Sequence, residues 1–186
     1  IAAGLRRAQE LLQAGDAAAA EKLCDEVLSH APRKPQAWHL LARIAKRTER
    51  WDLALRSLER AVAVADPDFE LRQELAELRL ATGNAAAAIE LFGQLARDWP
   101  ERVEGWLGLG LSARAAGELP AALEALEHAR EVAPNNPKAY NFLGGVLSEM
   151  NRAAEAITAF RRAVELAPNY LSALNNFCLL YTSPSP

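Results

Sequence analysis

One spacing between prolines constrains the fold more than any other feature of the sequence. Pro32, Pro100, Pro134 and Pro168 lie 68, 34 and 34 residues apart, and the missing member of the series would fall at Asp66, beside Pro67. A period of about 20–50 residues indicates one supersecondary unit that is repeated along the chain. The sequence therefore predicts five repeats, at 1–34, 35–68, 69–102, 103–136 and 137–170, and a partial sixth at 171–181.

The repeats align small and large residues at fixed positions, which we number 1–34 within each repeat. Position 20 is alanine in all five repeats, and position 8 is alanine or glycine. Position 24 carries the larger residues Cys24, Leu58, Phe92, Leu126 and Phe160. We expect the small residues to let two helices of a repeat approach closely, and the larger ones to fill the space between neighbouring repeats.

Two kinds of helix-ending residue divide each repeat in two. The apolar residues Tyr140, Leu143 and Leu147 show the i, i+3, i+7 spacing of a helix face. Position 15 holds glycine or asparagine, which end helices in the left-handed conformation, and only Glu49 departs from this pattern. The proline near the end of the repeat closes a second helix. Each repeat is thus predicted to be two antiparallel helices, and such pairs bury their apolar faces by stacking into an all-α solenoid.

The fourth and fifth repeats resemble the tetratricopeptide repeat. The residues that carry the resemblance are Trp106, Leu109, Gly110, Ala113, Gly117, Ala122, Leu126, Ala129 and Pro134, and then Tyr140, Leu143, Gly144, Leu147, Ala156, Phe160, Ala163 and Pro168. The third repeat departs with Arg72 at position 4. The first departs with Gly4 and Arg7, and we interpret it as an end cap. The resemblance implies a right-handed α-solenoid in which the first helix of each repeat lines a concave groove that binds peptides.

The composition excludes several classes of protein. Apolar residues make up 51% of the chain and the net charge is −3, which argues against disorder. The isoelectric point of about 5.7 argues against a general nucleic-acid binder. No apolar run approaches the roughly 20 residues of a transmembrane helix, and no leader sequence is found. We expect a cytoplasmic protein, and the excess of alanine and of arginine over lysine points to a bacterial gene.

The sequence offers no convincing catalytic, cofactor or metal site. Gly108, Gly110 and Ala113 match a dinucleotide-binding fingerprint, but they lie within a predicted helix and no strand precedes them. Cys24 and Cys178 occupy packing positions, where we expect both to be buried. The acidic residues at 66–70 are too few for an EF-hand, and Asp66 or Asp68 is expected to cap the next helix. We therefore expect no enzyme activity and no cofactor for this chain.

The resemblance assigns a candidate peptide-binding face to the first-helix positions that packing leaves free. These residues are His39, Arg43, Lys46, Arg47, Glu70, Gln73, Glu77, Leu107, Leu111, Arg114, Asn141 and Ser148. A basic cluster beside an apolar pair favours a partner segment with acidic and apolar residues. At any single position, a solvated helix face is an equally good interpretation. The Lys, Asn and Arg set with which some family members clamp a terminal carboxylate is not found, and the asparagine ladder of other members is reduced to Asn176.

Three hypotheses for function remain at this point. The first is a non-enzymatic scaffold that binds a peptide or a partner protein. The second is the substrate-recruiting N-terminal array of a larger bacterial enzyme of sulfotransferase, glycosyltransferase or hydroxylase type, an inference from resemblance alone. The third is self-association through an uncovered C-terminal end that carries Leu174, Phe177 and Leu180.

The end of the chain departs from the repeat. From Cys178 the sequence reads CLLYTSPSP, which resembles a translated sequencing adaptor, with a genuine Ser/Pro-rich linker as the alternative. We expect the helical pattern to stop near Cys178, the tail at 182–186 to be non-native, and the natural protein to continue further.

Overall fold

The computed structural model describes residues 1–182, with side chains described as far as Leu179, and this part of the chain is all-helical. It contains eleven helices and no strand. In chain order they are α1 (Ala2–Gln13), α2 (Ala17–His30), α3 (Pro35–Arg47), α4 (Trp51–Val64), α5 (Phe69–Ala81), α6 (Ala85–Asp98), α7 (Val103–Ala115), α8 (Leu119–Val132), α9 (Pro137–Glu149), α10 (Ala153–Leu166) and α11 (Leu171–Thr182). The predicted all-α class is confirmed.

The helix boundaries fall at the predicted residues. Position 15 is left-handed in every repeat, with φ of 80° at Gly117, 59° at Asn151 and 56° at Glu49. Glu49 adopts this conformation although a side chain there costs about 1 kcal/mol. At the start of α5, the Asp68 side chain accepts a hydrogen bond from the amide of Leu71 at 3.0 Å, which confirms the predicted cap.

Small residues at position 8 allow close approach of paired helices. A Cβ atom on Gly110 would lie 2.5 Å from Leu126, and one on Gly144 would lie 2.8 Å from Phe160. Leu126 is fully buried and Phe160 is 2% exposed. Position 8 thus has its predicted role in these two repeats, and the residue at position 24 packs against position 8 of its own repeat.

The chain forms two compact units, residues 1–82 (the N-terminal unit) and 83–186 (the C-terminal unit). The N-terminal unit contains α1–α5, with a core that includes Ala8, Cys24 and Ile44. The C-terminal unit contains α6–α11, with a core that includes Leu126, Val146 and Phe160. The boundary divides the predicted third repeat, because α5 belongs to one unit and α6 to the other.

A hydrogen bond from position 4 links successive repeats. Trp38 Nε1 donates to the Pro32 carbonyl at 2.8 Å, and Trp106 Nε1 donates to the Pro100 carbonyl at 3.0 Å. Tyr140 Oη donates to the Pro134 carbonyl at 3.0 Å. The aromatic residue that begins one repeat thus anchors on the proline that ends the previous one, a role that the sequence analysis missed.

Two expectations about the end of the chain are wrong. Cys178 is exposed, because no second helix of the same repeat covers it in the described part of the chain. The helix α11 continues through Thr182, since the first residue that opposes a helix is Pro184. The remaining predicted tail residues, 183–186, and the side chain of Leu180 lie outside the described residues.

Candidate functional site

Two predicted site residues of α3 converge on Glu74 of α5 in the N-terminal unit. His39 Nε2 donates to one carboxylate oxygen of Glu74 at 2.6 Å, and Lys46 Nζ donates to the other at 2.8 Å. The Glu74 side chain is 21% exposed. The hydrogen bond from His39, followed by the bond and charge of Lys46, outweighs burial and lowers the pKa of Glu74 to about 2. Glu74 is therefore an ionised, fixed element of this face.

Arg47 stabilises the end of a neighbouring helix. Its Nη1 donates to the Leu12 carbonyl at 2.6 Å, in the last turn of α1. The terminal carbonyls of a helix lack intrahelical partners and carry partial negative charge, so a cation is favourable there. This geometry gives Arg47 a structural role as well as its predicted place on the binding face.

Arg43 is the remaining member of the predicted basic cluster. Its side chain is exposed, and it forms no hydrogen bond or ion pair with any described residue. Since Lys46 and Arg47 are engaged in internal contacts, Arg43 is the member of the cluster whose charge stays without an internal partner.

Carboxylates surround His39 at the other end of the same face. A cavity of about 350 Å³ is lined by His39 together with Asp66, Asp68, Glu70 and Glu74. Further along α5, Gln73 donates to Glu77 at 2.7 Å. The face in the N-terminal unit is thus acidic near the starts of α3 and α5 and basic toward the end of α3, rather than uniformly basic.

In the C-terminal unit, the predicted apolar pair separates into two environments. Leu107 is 8% exposed and belongs to the core, against which Phe142 packs. Leu111 is half-buried. Leu107 is therefore chiefly a packing residue, and Leu111 offers more of its side chain to a ligand.

Two polar site residues of the C-terminal unit, Arg114 and Asn141, are held by neighbours. Arg114 donates from Nε and Nη2 to Glu149 at 2.8 and 2.5 Å. Asn141 is 6% exposed, donates to Tyr170 Oη at 3.2 Å and accepts from Asn176 at 3.0 Å. Ser148 is half-buried. The amide of Asn141 is consequently oriented by two partners that the sequence analysis did not connect with it.

These contacts follow a single rule. The pairs His39–Glu74, Arg114–Glu149 and Asn141–Asn176 are each separated by 35 residues, as are Leu12 and Arg47. Position 5 of one repeat contacts position 6 of the next repeat. In the same way, position 12 of one repeat contacts position 13 of the next repeat. The sequence analysis did not predict these pairings, although complementary residues one repeat plus one residue apart were a usable signal.

The described residues show no arrangement typical of a metal or a catalytic centre. No group of three or more His, Cys, Asp or Glu side chains within residues 1–179 is placed to hold a metal ion. Cys24 is enclosed in the core, where burial raises the pKa of its thiol to about 11 and disfavours the reactive thiolate. None of the helices in residues 1–182 has the length and apolar character needed to span a bilayer.

Family models of the tetratricopeptide repeat match three overlapping stretches of the chain. These are residues 11–78, 74–127 and 101–169. Together they cover the five predicted repeats except at the two ends, and they include both compact units.

Curated relatives are considerably longer than the chain. Protein FlbA of Caulobacter vibrioides is 30% identical over 92% of this chain, which corresponds to 29% of FlbA. The PEX5-related protein of Rattus norvegicus is 36% identical over 48% of this chain and 14% of its own length. The chain thus spans less than a third of these relatives.

Solved structures share the fold at low sequence identity. YrrB, a TPR protein with an unusual peptide-binding site, gives a TM-score of 0.76 at 16% identity, over 92% of this chain and 89% of YrrB. MamA from Desulfovibrio magneticus RS-1 gives a TM-score of 0.78 at 16% identity, over 89% of this chain and 93% of that chain. These likenesses confirm a solenoid fold of repeated helix pairs.

Proposed function

The chain belongs to the tetratricopeptide repeat family, and from this premise we propose that it is a protein-interaction scaffold that binds a partner segment along its first-helix faces. The observation that carries the proposal is the state of Arg43. It is an exposed cation without an internal partner, whereas the neighbouring cations Lys46 and Arg47 are hydrogen-bonded to Glu74 and to the Leu12 carbonyl. A carboxylate of a bound segment supplies the complementary charge.

The uneven charge of the N-terminal face orients the segment. Its acidic residue meets Arg43, whereas the carboxylate-lined cavity at His39 repels a second acidic group. A segment bound in the opposite direction would bring its carboxylate toward Asp66 and Asp68. The partner that fits best is therefore acidic at one end only.

An apolar contact is proposed separately for the C-terminal unit. A cavity of about 580 Å³ lies beside the starts of α7 and α9, and its lining includes Val103, Leu107, Ala133 and Pro134. A cavity of this size admits a large side chain. Leu111 lies on α7 one turn beyond Leu107 and extends this apolar surface.

Known proteins of similar sequence and fold support an interaction role. YrrB has a peptide-binding site, and a matched relative from Candida glabrata is a peroxisomal targeting signal receptor, 36% identical over 39% of this chain. We propose the same class of ligand here, a segment of a protein, without carrying over their particular ligands.

A peptide selection tests the proposal. Phage-displayed peptides of about twelve residues, long enough to follow one helix face, are selected on the wild-type protein and measured by fluorescence anisotropy. Arg43→Glu is expected to weaken binding about tenfold, because it replaces an attraction with a repulsion. Arg60→Glu, an equally exposed reversal on the second helix α4, is the matched control. Unchanged affinity of Arg43→Glu, or an equal loss in Arg60→Glu, would contradict the assigned face.

The second candidate is a recruiting array within a larger enzyme of sulfotransferase, glycosyltransferase or hydroxylase type. The observation behind it is length, because the chain covers only 29% of the matched relative FlbA, and a longer protein has room for a further domain. A long sequencing read of the source gene beyond the codon of Phe177 decides the matter. A downstream catalytic fold with a cofactor motif would support the enzyme, and a stop codon after one covering helix would exclude it.

A cytoplasmic location is part of the proposal. Cys24 lies in the core of the N-terminal unit and Cys178 lies exposed in the C-terminal unit, an arrangement typical of proteins that do not depend on disulfides. Fractionation of the native host with an antibody to this chain tests the location, and recovery outside the cytoplasm would contradict it.

A further inference from the structure

A second groove lies in the C-terminal unit, away from the first-helix face. The helices α8 and α10 form its walls and α9 forms its floor, and they enclose a cavity of about 560 Å³. The floor consists of Leu143 and Leu147, which are 4% and 5% exposed, with Ala159 beside them. None of these residues belongs to the candidate site described above. We call this cavity the α8–α10 groove.

Two of the three glutamates of the α8–α10 groove are ion-paired with arginines. Glu155 receives two hydrogen bonds from Arg152, both of 2.7 Å, and Glu165 receives one from Arg162 at 3.1 Å. Glu127 interacts electrostatically with the same Arg152. Two of the three carboxylates are thus paired with arginines, and Glu127 has only the electrostatic interaction with Arg152.

Two further arginines line the groove without a partner. Arg130 extends from α8 and Arg161 from α10, and neither forms a hydrogen bond or an ion pair with a described residue. An apolar floor therefore lies between two guanidinium groups that form no ion pair, and with Arg152 and Arg162 they exceed the three carboxylates by one positive charge. Guanidinium groups recognise carboxylates with defined geometry, since their planar donors match the two acceptor oxygens.

The preceding repeat provides an internal comparison. A cavity of about 270 Å³ between α6 and α8 shares several repeat positions with it, with Trp106 in place of Tyr140 and His128 in place of Arg162. The positions of Arg130 and Arg161 correspond to Ala96 and Glu127, which do not line this smaller cavity. The Trp106 ring packs against His128 at 4.8 Å between centroids. The charged residues among its described lining are Glu118, Glu124 and His128, and no arginine is present. The fold supplies a groove in both repeats, but only the later one carries the arginine pair.

We propose that the α8–α10 groove is a second docking site, which binds an extended segment of a partner protein with one large apolar side chain flanked by Asp or Glu. The apolar side chain lies on Leu143 and Leu147, and the flanking carboxylates pair with Arg130 and Arg161. A groove of about 560 Å³ accommodates such a side chain together with its backbone. The chain then holds two segments at once, one on the first-helix face and one in this groove.

The test separates this groove from the first-helix face. Phage-displayed peptides of about twelve residues are selected on the Arg43→Glu variant, so that peptides which depend on that face are not enriched. Enriched peptides should carry Leu, Phe or Trp beside Asp or Glu. Their dissociation constants are then measured by fluorescence anisotropy on the wild-type chain and on groove variants.

The double variant Arg130→Glu with Arg161→Glu is expected to raise the dissociation constant at least about tenfold. Thr158→Trp obstructs the groove without a change of charge, and the same loss is expected. Arg97→Glu, an exposed reversal on α6 of the same unit, should change the constant less than about twofold. Thermal unfolding, monitored by circular dichroism, identifies a variant that does not fold. If one groove variant does not fold, the affinity of the other groove variant tests the proposal.

The proposal is overturned if no peptide is enriched, or if enriched peptides retain their affinity for the groove variants. It is also overturned if Arg97→Glu loses as much affinity as the double variant, because binding then depends only on net charge.

Discussion

At the scale of single residues, Glu74 determines what the N-terminal face presents to a ligand. It holds His39 and Lys46 by hydrogen bonds of 2.6 and 2.8 Å, so both side chains have fixed positions. Because its own charge is balanced by these two donors, Glu74 does not cancel the charge of Arg43. The face therefore offers an ordered surface on which Arg43 forms no hydrogen bond or ion pair with a described residue.

The depressed pKa of Glu74 makes part of the stability dependent on pH. In the folded chain the pKa is about 2, against 4.5 for an unperturbed glutamate. Below pH 4.5 the unfolded chain binds a proton that the folded chain does not, so this contribution is complete above pH 4.5 and is lost as the pH falls toward 2. The stability advantage of the wild type over Glu74→Gln should decrease by about 2 kcal/mol between pH 6 and pH 3.

Urea unfolding of both proteins at the two pH values measures this difference. Glu77→Gln, a change of an exposed residue on the same helix α5, serves as the control. A difference for Glu74→Gln that stays constant with pH would contradict the assigned hydrogen bonds.

The contacts of Glu74 illustrate which parts of the site follow from sequence. Periodicity predicts that position 5 of α3 lies on the first-helix face, and His39 does lie there. It does not predict that position 5 meets position 6 of the next repeat, because this offset depends on how neighbouring helices are displaced along their axes. Lys46 and Arg47 were therefore assigned to a ligand, while the structure shows them bound to Glu74 and to the Leu12 carbonyl.

At the scale of the helices, the sequence predicts where the helices lie and where most of them end. The αL residue at position 15 and the proline near position 32 are local signals whose effect does not depend on distant contacts. The burial of Leu107 and the exposure of Cys178 are different, because each depends on which other helix covers the position. The repeat pattern assigned Leu107 to the free face and expected Cys178 to be buried, and the structure shows the reverse for both.

The turn between α3 and α4 contains the one non-glycine, non-asparagine residue at position 15. Glu49 has φ of 56°, a conformation that disfavours a residue with a Cβ atom. Glu49→Gly should raise the free energy of unfolding by about 0.5–1 kcal/mol. Removing the Cβ atom relieves the steric strain, and the greater entropy of glycine in the unfolded chain offsets part of that gain.

Asn151→Gly provides the comparison for Glu49→Gly, because Asn151 has nearly the same φ of 59°. Asparagine tolerates this region, so the gain there should be smaller. Thermal unfolding by circular dichroism measures both variants. A decrease in stability for Glu49→Gly would mean that its side chain contributes more than the strain removes.

At the scale of the whole molecule, each compact unit contains its own core. Ile44 is fully buried in the core of the N-terminal unit, and Leu126 is fully buried in the core of the C-terminal unit. In repeat proteins, stability is the sum of local terms and nearest-neighbour terms, so a core defect acts mainly where it is made. Two binding sites in different units can then be altered separately by mutation.

Ile44→Ala should destabilise the N-terminal unit by about 3 kcal/mol, since it removes buried methyl groups and leaves a cavity. Hydrogen exchange followed by mass spectrometry should show the loss of protection within residues 1–82, with residues 83–179 close to the wild type. Leu126→Ala is the reciprocal variant, and its effect should be confined to the C-terminal unit. An equal loss of protection in both units after either substitution would show that the chain unfolds as one cooperative body, and a partner bound to one unit would then stabilise the other as well.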